Sequence, residues 1–155
     1  MSDLRKPFWS QIYEIAKTDK NVVVLTGDLG YSFFEQFAKD FPKQFINAGC
    51  AEQNMIGVAA GLARVGKKPY VYSNSIFILM REYEQVRDDI AYQNLNVKLI
   101  GTGASGFLGF THNLGVLENE TDLLKNLPNI RCIYPEDEKQ LEIALLLDEP
   151  AFIRI

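Results

Sequence analysis

The sequence contains few of the residues that build metal centres and disulfide frameworks. It has 155 residues but only one histidine and two cysteines, Cys50 and Cys132, which lack metal-ligand spacing. We expect both cysteines to be buried free thiols in a reducing compartment, and a single disulfide between them stays open as the alternative. No basic cluster is longer than Lys67-Lys68, and the formal net charge of -4 argues against a nucleic-acid-binding protein.

Long hydrophobic runs are missing as well. No stretch approaches the ~20 apolar residues that span a bilayer, and residues 1–5 contain no apolar signal core. The sequence therefore predicts a cytoplasmic protein without membrane contact. Hydrophobic residues make up 47% of the chain, enough for one good core, and no linker, repeat or low-complexity tract divides it. We expect a single domain over residues 1–155.

The sequence does contain a regular alternation of short apolar runs and amphipathic stretches. Strands are predicted at residues 21–26, 45–47, 69–72, 97–100, 130–134 and 151–155. Helices are predicted at residues 4–18, 52–65, 77–92 and 136–147, with shorter ones after Tyr31 and near residues 121–126. This order predicts an α/β fold with a mainly parallel six-stranded sheet covered by helices on both faces. Ligands of such sheets collect beyond the carboxyl ends of the strands.

The most informative segment is residues 47–62, in which an apolar, small-residue helix begins at Glu52. Gly57, Ala60 and Gly61 are predicted to lie on one side of that helix and to permit close backbone packing. A lone carboxyl group at the start of such a helix has two interpretations. Glu52 is either an ordinary first-turn glutamate, favoured by the helix dipole, or a chemically active group.

The stretch Ala51-Glu52-Gln53 and its surroundings closely resemble the pyrimidine-binding domain of the transketolase family, whose enzymes use thiamine diphosphate. The resemblance implies the three-layer thiamine diphosphate-binding fold, and it gives Glu52 a catalytic and cofactor-binding role. In the family this carboxyl shares a proton with ring nitrogen N1′ of the cofactor, which lets the cofactor lose the proton on its thiazolium carbon C2. Apolar surroundings in general help a carboxyl to carry such a proton.

The resemblance also implies two further cofactor contacts, with three candidate residues, in the segment 73–98, which is the longest match. In related chains an aromatic residue near the start of this helix stacks on the aminopyrimidine ring. Phe77 takes that position in one register, and Ile78 takes it in the register of the deoxyxylulose phosphate synthases. Arg81 aligns with a family arginine near the active-site entrance, and its alternative is a solvated or interface charge. Met80 and Tyr83 are expected in the core.

A turn and a glycine-rich run supply the remaining expected site residues. Asp28 follows the first strand and resembles a family aspartate that faces the cofactor across a subunit contact, although a plain Gly-Asp turn is the alternative. His112, in Phe110-Thr111-His112, resembles a family histidine that contacts substrate oxygen, which predicts a catalytic role rather than that of a loop histidine. Leu108 stands where transketolases carry an acidic residue. The substrate is therefore not expected to be an ordinary pentose or hexose phosphate, and a 2-oxo acid or a deoxy sugar donor stays open.

The chain has no match to the Gly-Asp-Gly stretch and later asparagine that hold Mg²⁺ and the cofactor's diphosphate in the family. The resemblance thus implies that a diphosphate-binding, transketolase-like partner subunit carries the magnesium ligands, and that this chain carries none. The match covers nearly the whole chain but only one third of a full transketolase, which predicts a split enzyme or a fragment, the split being favoured.

The expected function is that of the pyrimidine-binding subunit of a split transketolase-like enzyme, a hetero-oligomer that transfers a ketol or acyl unit. One alternative is the beta-type subunit of a 2-oxoacid dehydrogenase or decarboxylase. Another is a non-catalytic interaction module with the same fold, since a fold alone does not establish function. A flavodoxin-like binding module is a third alternative, and the lack of a phosphate loop counts against it.

Overall fold

Helices and strands alternate along the chain in the structure, a computed structural model that describes residues 3–103 and 120–155. The helices are α1 (Arg5–Thr18), α2 (Glu35–Asp40), α3 (Glu52–Arg64), α4 (Tyr83–Gln85), α5 (Thr121–Leu124) and α6 (Glu138–Leu145). Two π-helical segments, Phe77–Arg81 and Val86–Ala91, flank α4. The strands are β1 (Val22–Thr26), β2 (Phe45–Asn47), β3 (Lys68–Asn74), β4 (Lys98–Thr102), β5 (Arg131–Ile133) and β6 (Ala151–Arg154). All six predicted strands are present.

The six strands form one sheet in the order β2-β1-β3-β4-β6-β5, and every pairing is parallel. The predicted α/β fold is confirmed, with an all-parallel sheet in place of a mainly parallel one. The chain leaves β1 toward β2 on one side and returns across it to β3 on the other, so the strand order reverses at β1. Thr26, the last residue of β1, lies opposite both Asn47 and Tyr72. The carboxyl ends of these strands therefore meet at a switch point, where open α/β sheets bind ligands.

Two apolar layers enclose the sheet because successive strand residues point to opposite faces. In β1, Val22 and Val24 join the layer that includes α1, α2 and α6, while Val23 and Leu25 join the layer that includes α3 and the π-helical segments. Large buried side chains make up both layers. The first contains Phe8, Trp9, Ile12 and Phe37, and the second contains Met55, Ile56, Leu79 and Leu99. Burial on both faces explains why the inner strands β1, β3, β4 and β6 read as apolar runs.

The predicted continuous helix over residues 77–92 is wrong in one respect, because the helix is interrupted. The first π-helical segment ends at Arg81. The next residue, Glu82, has a φ of -112° and a ψ of 27°, which lie outside the helical range, and α4 begins at Tyr83. A π-helical turn carries an extra residue and so rotates the helix face that follows it. Met80 is turned outward and is 46% exposed, so its predicted core position is also wrong. Tyr83 is half-buried, and its hydroxyl donates to the carbonyl of Leu123 at 3.1 Å.

Several smaller expectations can also be compared with the structure. Both cysteines are free thiols, but Cys50 is exposed rather than buried, because it lies in the turn before α3; Cys132 is half-buried. Gly57 and Gly61 do not meet a close neighbour in the described part of the chain, since a Cβ added at either would find no atom within 4 Å. Among the described residues, none of the helices is long and apolar enough to cross a membrane.

Candidate functional site

Glu52 owes its position to the tight connection between β2 and α3. The backbone turns at Gly49, whose φ of +68° is open to glycine without strain. The side-chain oxygen of Asn47 accepts a hydrogen bond from the Gly49 N–H at 3.0 Å and fixes this turn. Helix α3 then starts at Glu52, and the side chain of this residue is only 6% exposed. A first-turn glutamate that merely balanced the helix dipole would be expected at the surface.

The Glu52 side chain lies over the carboxyl ends of β1 and β3. Gly27 directly follows β1, and a Cβ placed there would lie 3.4 Å from Glu52 Cγ, 3.6 Å from Glu52 Oε1 and 3.4 Å from Ser73 Oγ. Glycine thus leaves room for the carboxyl to approach the end of the strand. The buried Ser73 hydroxyl has no hydrogen-bond partner among the described residues. The switch point of the sheet therefore holds a buried carboxyl next to an unsatisfied hydroxyl.

Arg81 connects Glu52 to Phe77. Its Nη1 lies 3.8 Å from Glu52 Oε2, and its Cζ lies 3.8 Å from the centroid of the Phe77 ring. The Arg81 carbonyl accepts a hydrogen bond from Gln53 Nε2 at 3.0 Å, which fastens the first π-helical segment to α3. The Arg81 side chain is 56% exposed. The structure thus brings together three of the residues that the sequence analysis selected, two of them from the segment after β3.

Phe77 and Ile78, the two candidates for the stacking position, occupy different environments. Ile78 is fully buried in the apolar layer that includes α3. Phe77 is only half-buried, and Arg81 lies over its ring. Of the two side chains, Phe77 is therefore the one that reaches the surface beside Glu52.

A pocket of about 490 Å³ opens at the start of α3, lined by Cys50, Ala51, Glu52, Gln53, Asn54, Arg81 and Glu82. Glu82 was missed in the sequence analysis, although it is fully buried. Burial foremost, and then the charge of Glu52, raise the pKa of Glu82 to about 8, while Arg81 opposes that shift. One sequence pattern did indicate that Glu82 is buried. Glu82 lies four residues from both Ile78 and Val86, which are buried, and residues four apart lie on the same face of a helix.

Asp28 lies at the same edge of the sheet, in the turn that follows β1. Its φ of 56° is left-handed, a conformation that aspartate tolerates better than most residues. The exposed carboxyl accepts hydrogen bonds from the Tyr31 hydroxyl at 2.6 Å and from Asn47 Nδ2 at 3.0 Å, and these bonds lower the pKa of Asp28. The bonds tie the turn after β1 to the end of β2, so they agree with the turn interpretation and leave the cofactor role as a prediction.

The remaining predicted site residue, His112, lies outside the described residues, and so does Leu108. Within residues 3–103 and 120–155, no group of three or more histidine, cysteine, aspartate and glutamate side chains is arranged to hold a metal ion.

Comparisons with known proteins agree with this architecture. Residues 2–149 match the family model described as "Transketolase, pyrimidine binding domain". The chain is 37% identical to an apulose-4-phosphate transketolase subunit of Phocaeicola vulgatus, over 97% of this chain and 50% of that protein. It is 36% identical to a 6-deoxy-6-sulfo-D-fructose transketolase subunit of a Clostridium species, over 98% of this chain and 49% of that protein.

A solved structure, a split-gene transketolase described as an inactive beta4 tetramer, superposes with a TM-score of 0.83 at 35% identity. That superposition covers 97% of this chain and 49% of the solved chain. The chain thus spans about half the length of the curated relatives that it matches.

Proposed function

The chain belongs to the transketolase family through its pyrimidine-binding domain, and on that premise we propose that it is the pyrimidine-binding subunit of a split, thiamine diphosphate-dependent transketolase-like enzyme. The enzyme would transfer a ketol or acyl unit. The single observation that carries the proposal is the buried carboxyl of Glu52 at the switch point of the sheet, with Phe77 and Arg81 beside it. The relatives are named as transketolase subunits, which favours this function over a 2-oxoacid dehydrogenase or decarboxylase chain.

The described residues suit one end of the cofactor, its aminopyrimidine ring. Glu52 would hold a proton on its carboxyl oxygen and share it with ring nitrogen N1′, while the half-buried Phe77 would contact the ring face and exclude water. The unsatisfied Ser73 hydroxyl at the same place supports this fit, since a buried polar atom without a partner calls for one from a ligand or a second chain. When bound, thiamine diphosphate supplies a nucleophilic carbon that stabilises negative charge, chemistry that protein side chains cannot provide.

A second subunit would complete the site. We propose a hetero-oligomer in which a diphosphate-binding, transketolase-like partner provides the ligands of Mg²⁺, and in which Asp28 and Arg81 lie near the cofactor at the subunit contact. A specific interface of this kind buries at least ~1,200 Å². The related split-gene transketolase chain is described as inactive as a beta4 tetramer, which supports the need for a partner. Residues 1–155 would form a single pyrimidine-binding domain in a cytoplasmic enzyme.

The substrate proposal concerns a sugar derivative in carbohydrate metabolism. The two relatives are named for apulose-4-phosphate and 6-deoxy-6-sulfo-D-fructose, which are both modified sugars. Their names favour a sugar over a 2-oxo acid as the substrate of this chain. His112 would contact the substrate oxygen, and Leu108 would make that part of the pocket more apolar than an aspartate would.

Proton exchange at C2 of the bound cofactor tests the role of Glu52 directly. In the complex reconstituted with the diphosphate-binding subunit, Glu52→Gln should preserve assembly but slow this exchange by at least ~10²-fold, because an amide cannot hold and return the proton. Glu138→Gln is the matched control, since Glu138 is also the first residue of its helix but is exposed. Exchange that is equally fast in Glu52→Gln and in the wild type would refute the proposal.

A further inference from the structure

Glu82 is a buried acid that the proposed function does not use. It lies where the first π-helical segment ends and α4 begins, and its side chain is fully buried. Neither carboxyl oxygen has a hydrogen-bond partner among the described residues. Glutamate is almost never fully buried unless it is paired, and each unsatisfied buried group in a native protein requires an explanation.

The surroundings of Glu82 connect it to Glu52. Both residues line the same pocket, and the other titratable or charged residues of that pocket are Arg81 and Cys50. Glu52 comes from α3, and Arg81 comes from the π-helical segment that packs on α3. Two acidic residues and one strong cation therefore meet at this pocket, and the cation makes its ion pair with Glu52.

Two carboxyl groups that share a desolvated site cannot both ionise freely, because each negative charge disfavours the other. Burial and the charge of Glu52 both act on Glu82 in this direction, and they raise the pKa of Glu82 to about 8. Glu82 is therefore a neutral acid at neutral pH, and it becomes a negative charge as the pH rises into the mildly alkaline range.

We propose that Glu82 is a positioning residue that forms a coupled carboxyl pair with Glu52, and that this pair keeps one shared proton at the pocket into the mildly alkaline range. This inference rests on the proposed function of Glu52. Loss of that last proton would place two negative charges in the same desolvated pocket, so the charge already on the pair opposes it. A neutral amide at the same position provides no such opposition at any pH.

The first test is a titration that does not involve the cofactor. In the full chain with isotope-labelled glutamate carboxyl groups, NMR should detect one carboxyl that titrates near pH 8. Its signal should be missing in Glu82→Gln and should move to lower pH in Glu52→Gln, where the neighbouring charge is absent. Glu84→Gln is the matched control, because Glu84 is exposed and should leave the signal unchanged.

Each outcome of that titration has a fixed meaning. The coupled pair is excluded if no glutamate titrates above the ordinary range, or if the alkaline signal survives in Glu82→Gln. It is also excluded if the alkaline signal titrates at the same pH in Glu52→Gln as in the wild type. The Glu52→Gln measurement tests the coupled pair even if Glu82→Gln does not fold.

The second test measures C2 proton exchange against pH in the reconstituted complex. The alkaline limb of the profile should move to lower pH by about one unit in Glu82→Gln. A merely structural role would lower the rate at every pH and leave the limb in place. If the alkaline limb lies at the same pH in the wild type and in Glu82→Gln, the role of Glu82 is overturned but the proposed function is not. A wild-type complex without any exchange would overturn the proposed function together with this role, so the two failures are distinguishable.

Discussion

The stability of the chain should depend on pH in an unusual way, because two buried groups titrate near the same pH from opposite directions. Burial raises the pKa of Glu82 from its usual 4.5 to about 8. At the other end of the sheet, burial lowers the pKa of Lys98 from 10.5 to about 8. The Lys98 ammonium donates to the carbonyl of Glu149 at 2.7 Å and also to Asn96.

The direction of each effect follows from proton binding. Between pH 4.5 and pH 8 the folded chain keeps the Glu82 proton that the unfolded chain has lost, so the free energy of unfolding falls as the pH rises. Between pH 8 and pH 10.5 the unfolded chain keeps the Lys98 proton that the folded chain has lost, so the free energy of unfolding rises again. The two groups together predict a minimum of stability near pH 8.

The depth of this stability minimum follows from the size of the two pKa shifts. A group that is protonated in only one of the two states changes stability by ~1.4 kcal/mol per pH unit. Glu82 should therefore remove on the order of 3–4 kcal/mol between pH 5 and pH 8. That amount is a large part of the ~5–15 kcal/mol that stabilises a typical domain. Burial also raises the pKa of Cys132 and Tyr70, but these groups oppose the recovery only above about pH 9.

Urea denaturation at a series of pH values measures the effect. Glu82→Gln should match the wild type near pH 5 and exceed it by on the order of 3–4 kcal/mol near pH 8, because the amide does not ionise. Lys98→Met should lack the recovery above pH 8, and Glu84→Gln should follow the wild type throughout. A wild-type profile that is flat from pH 5 to pH 8, or a Glu82→Gln profile with the wild-type slope, would refute the reasoning.

Three further predictions concern the cofactor, the substrate and the packing of the sheet. The chain without its partner should bind little thiamine diphosphate and Mg²⁺ in calorimetry, and tight binding would contradict a shared site. His112→Ala should leave C2 proton exchange nearly intact but lower turnover ~10²- to 10⁴-fold. An equal loss of exchange and turnover would mean that the role of His112 is not confined to the substrate. Gly101→Ala should destabilise the chain by ~1–3 kcal/mol or more in urea denaturation, since its Cβ would lie 2.5 Å from both Phe152 Cζ and Ser75 Oγ. Gly57→Ala is the matched control, whose added Cβ meets no atom within 4 Å, and an equal loss in both variants would contradict the packing argument.

The elements of the fold could be predicted from the sequence because each strand is a short apolar run bounded by turn residues. The run 21–26 predicted β1 to within one residue, and Glu52 was correctly predicted as the first residue of α3. The order of the strands could not be predicted in the same way. Strand β6 lies between β4 and β5, although β5 precedes it in the chain, and this order depends on long-range packing rather than on local pattern.

The interrupted helix after β3 shows where the periodicity argument fails. Buried Ile78 and Val86 fit an ordinary helix, because they lie two four-residue steps apart, and so the pattern gives no sign of a π-helical turn. Glu82 lies midway between them, on the buried side, but a glutamate flanked by Arg81 and Tyr83 reads as a solvated charge. Its burial follows from the tertiary packing against α3, which a single sequence does not reveal.

The two ends of the sheet differ in how their buried polar groups are satisfied, and the difference indicates where a further molecule belongs. At the amino end, Gln44 and Lys98 donate hydrogen bonds to backbone carbonyls at 2.7–3.1 Å. At or beside the carboxyl end of the sheet, Thr26, Ser73 and Glu82 all have buried polar atoms without a partner among the described residues. Each such atom costs ~1–3 kcal/mol, whereas the bonds at the amino end avoid that cost. The unsatisfied atoms of Thr26, Ser73 and Glu82 are best explained if a bound group or a second subunit completes the carboxyl end, which is where Glu52 lies.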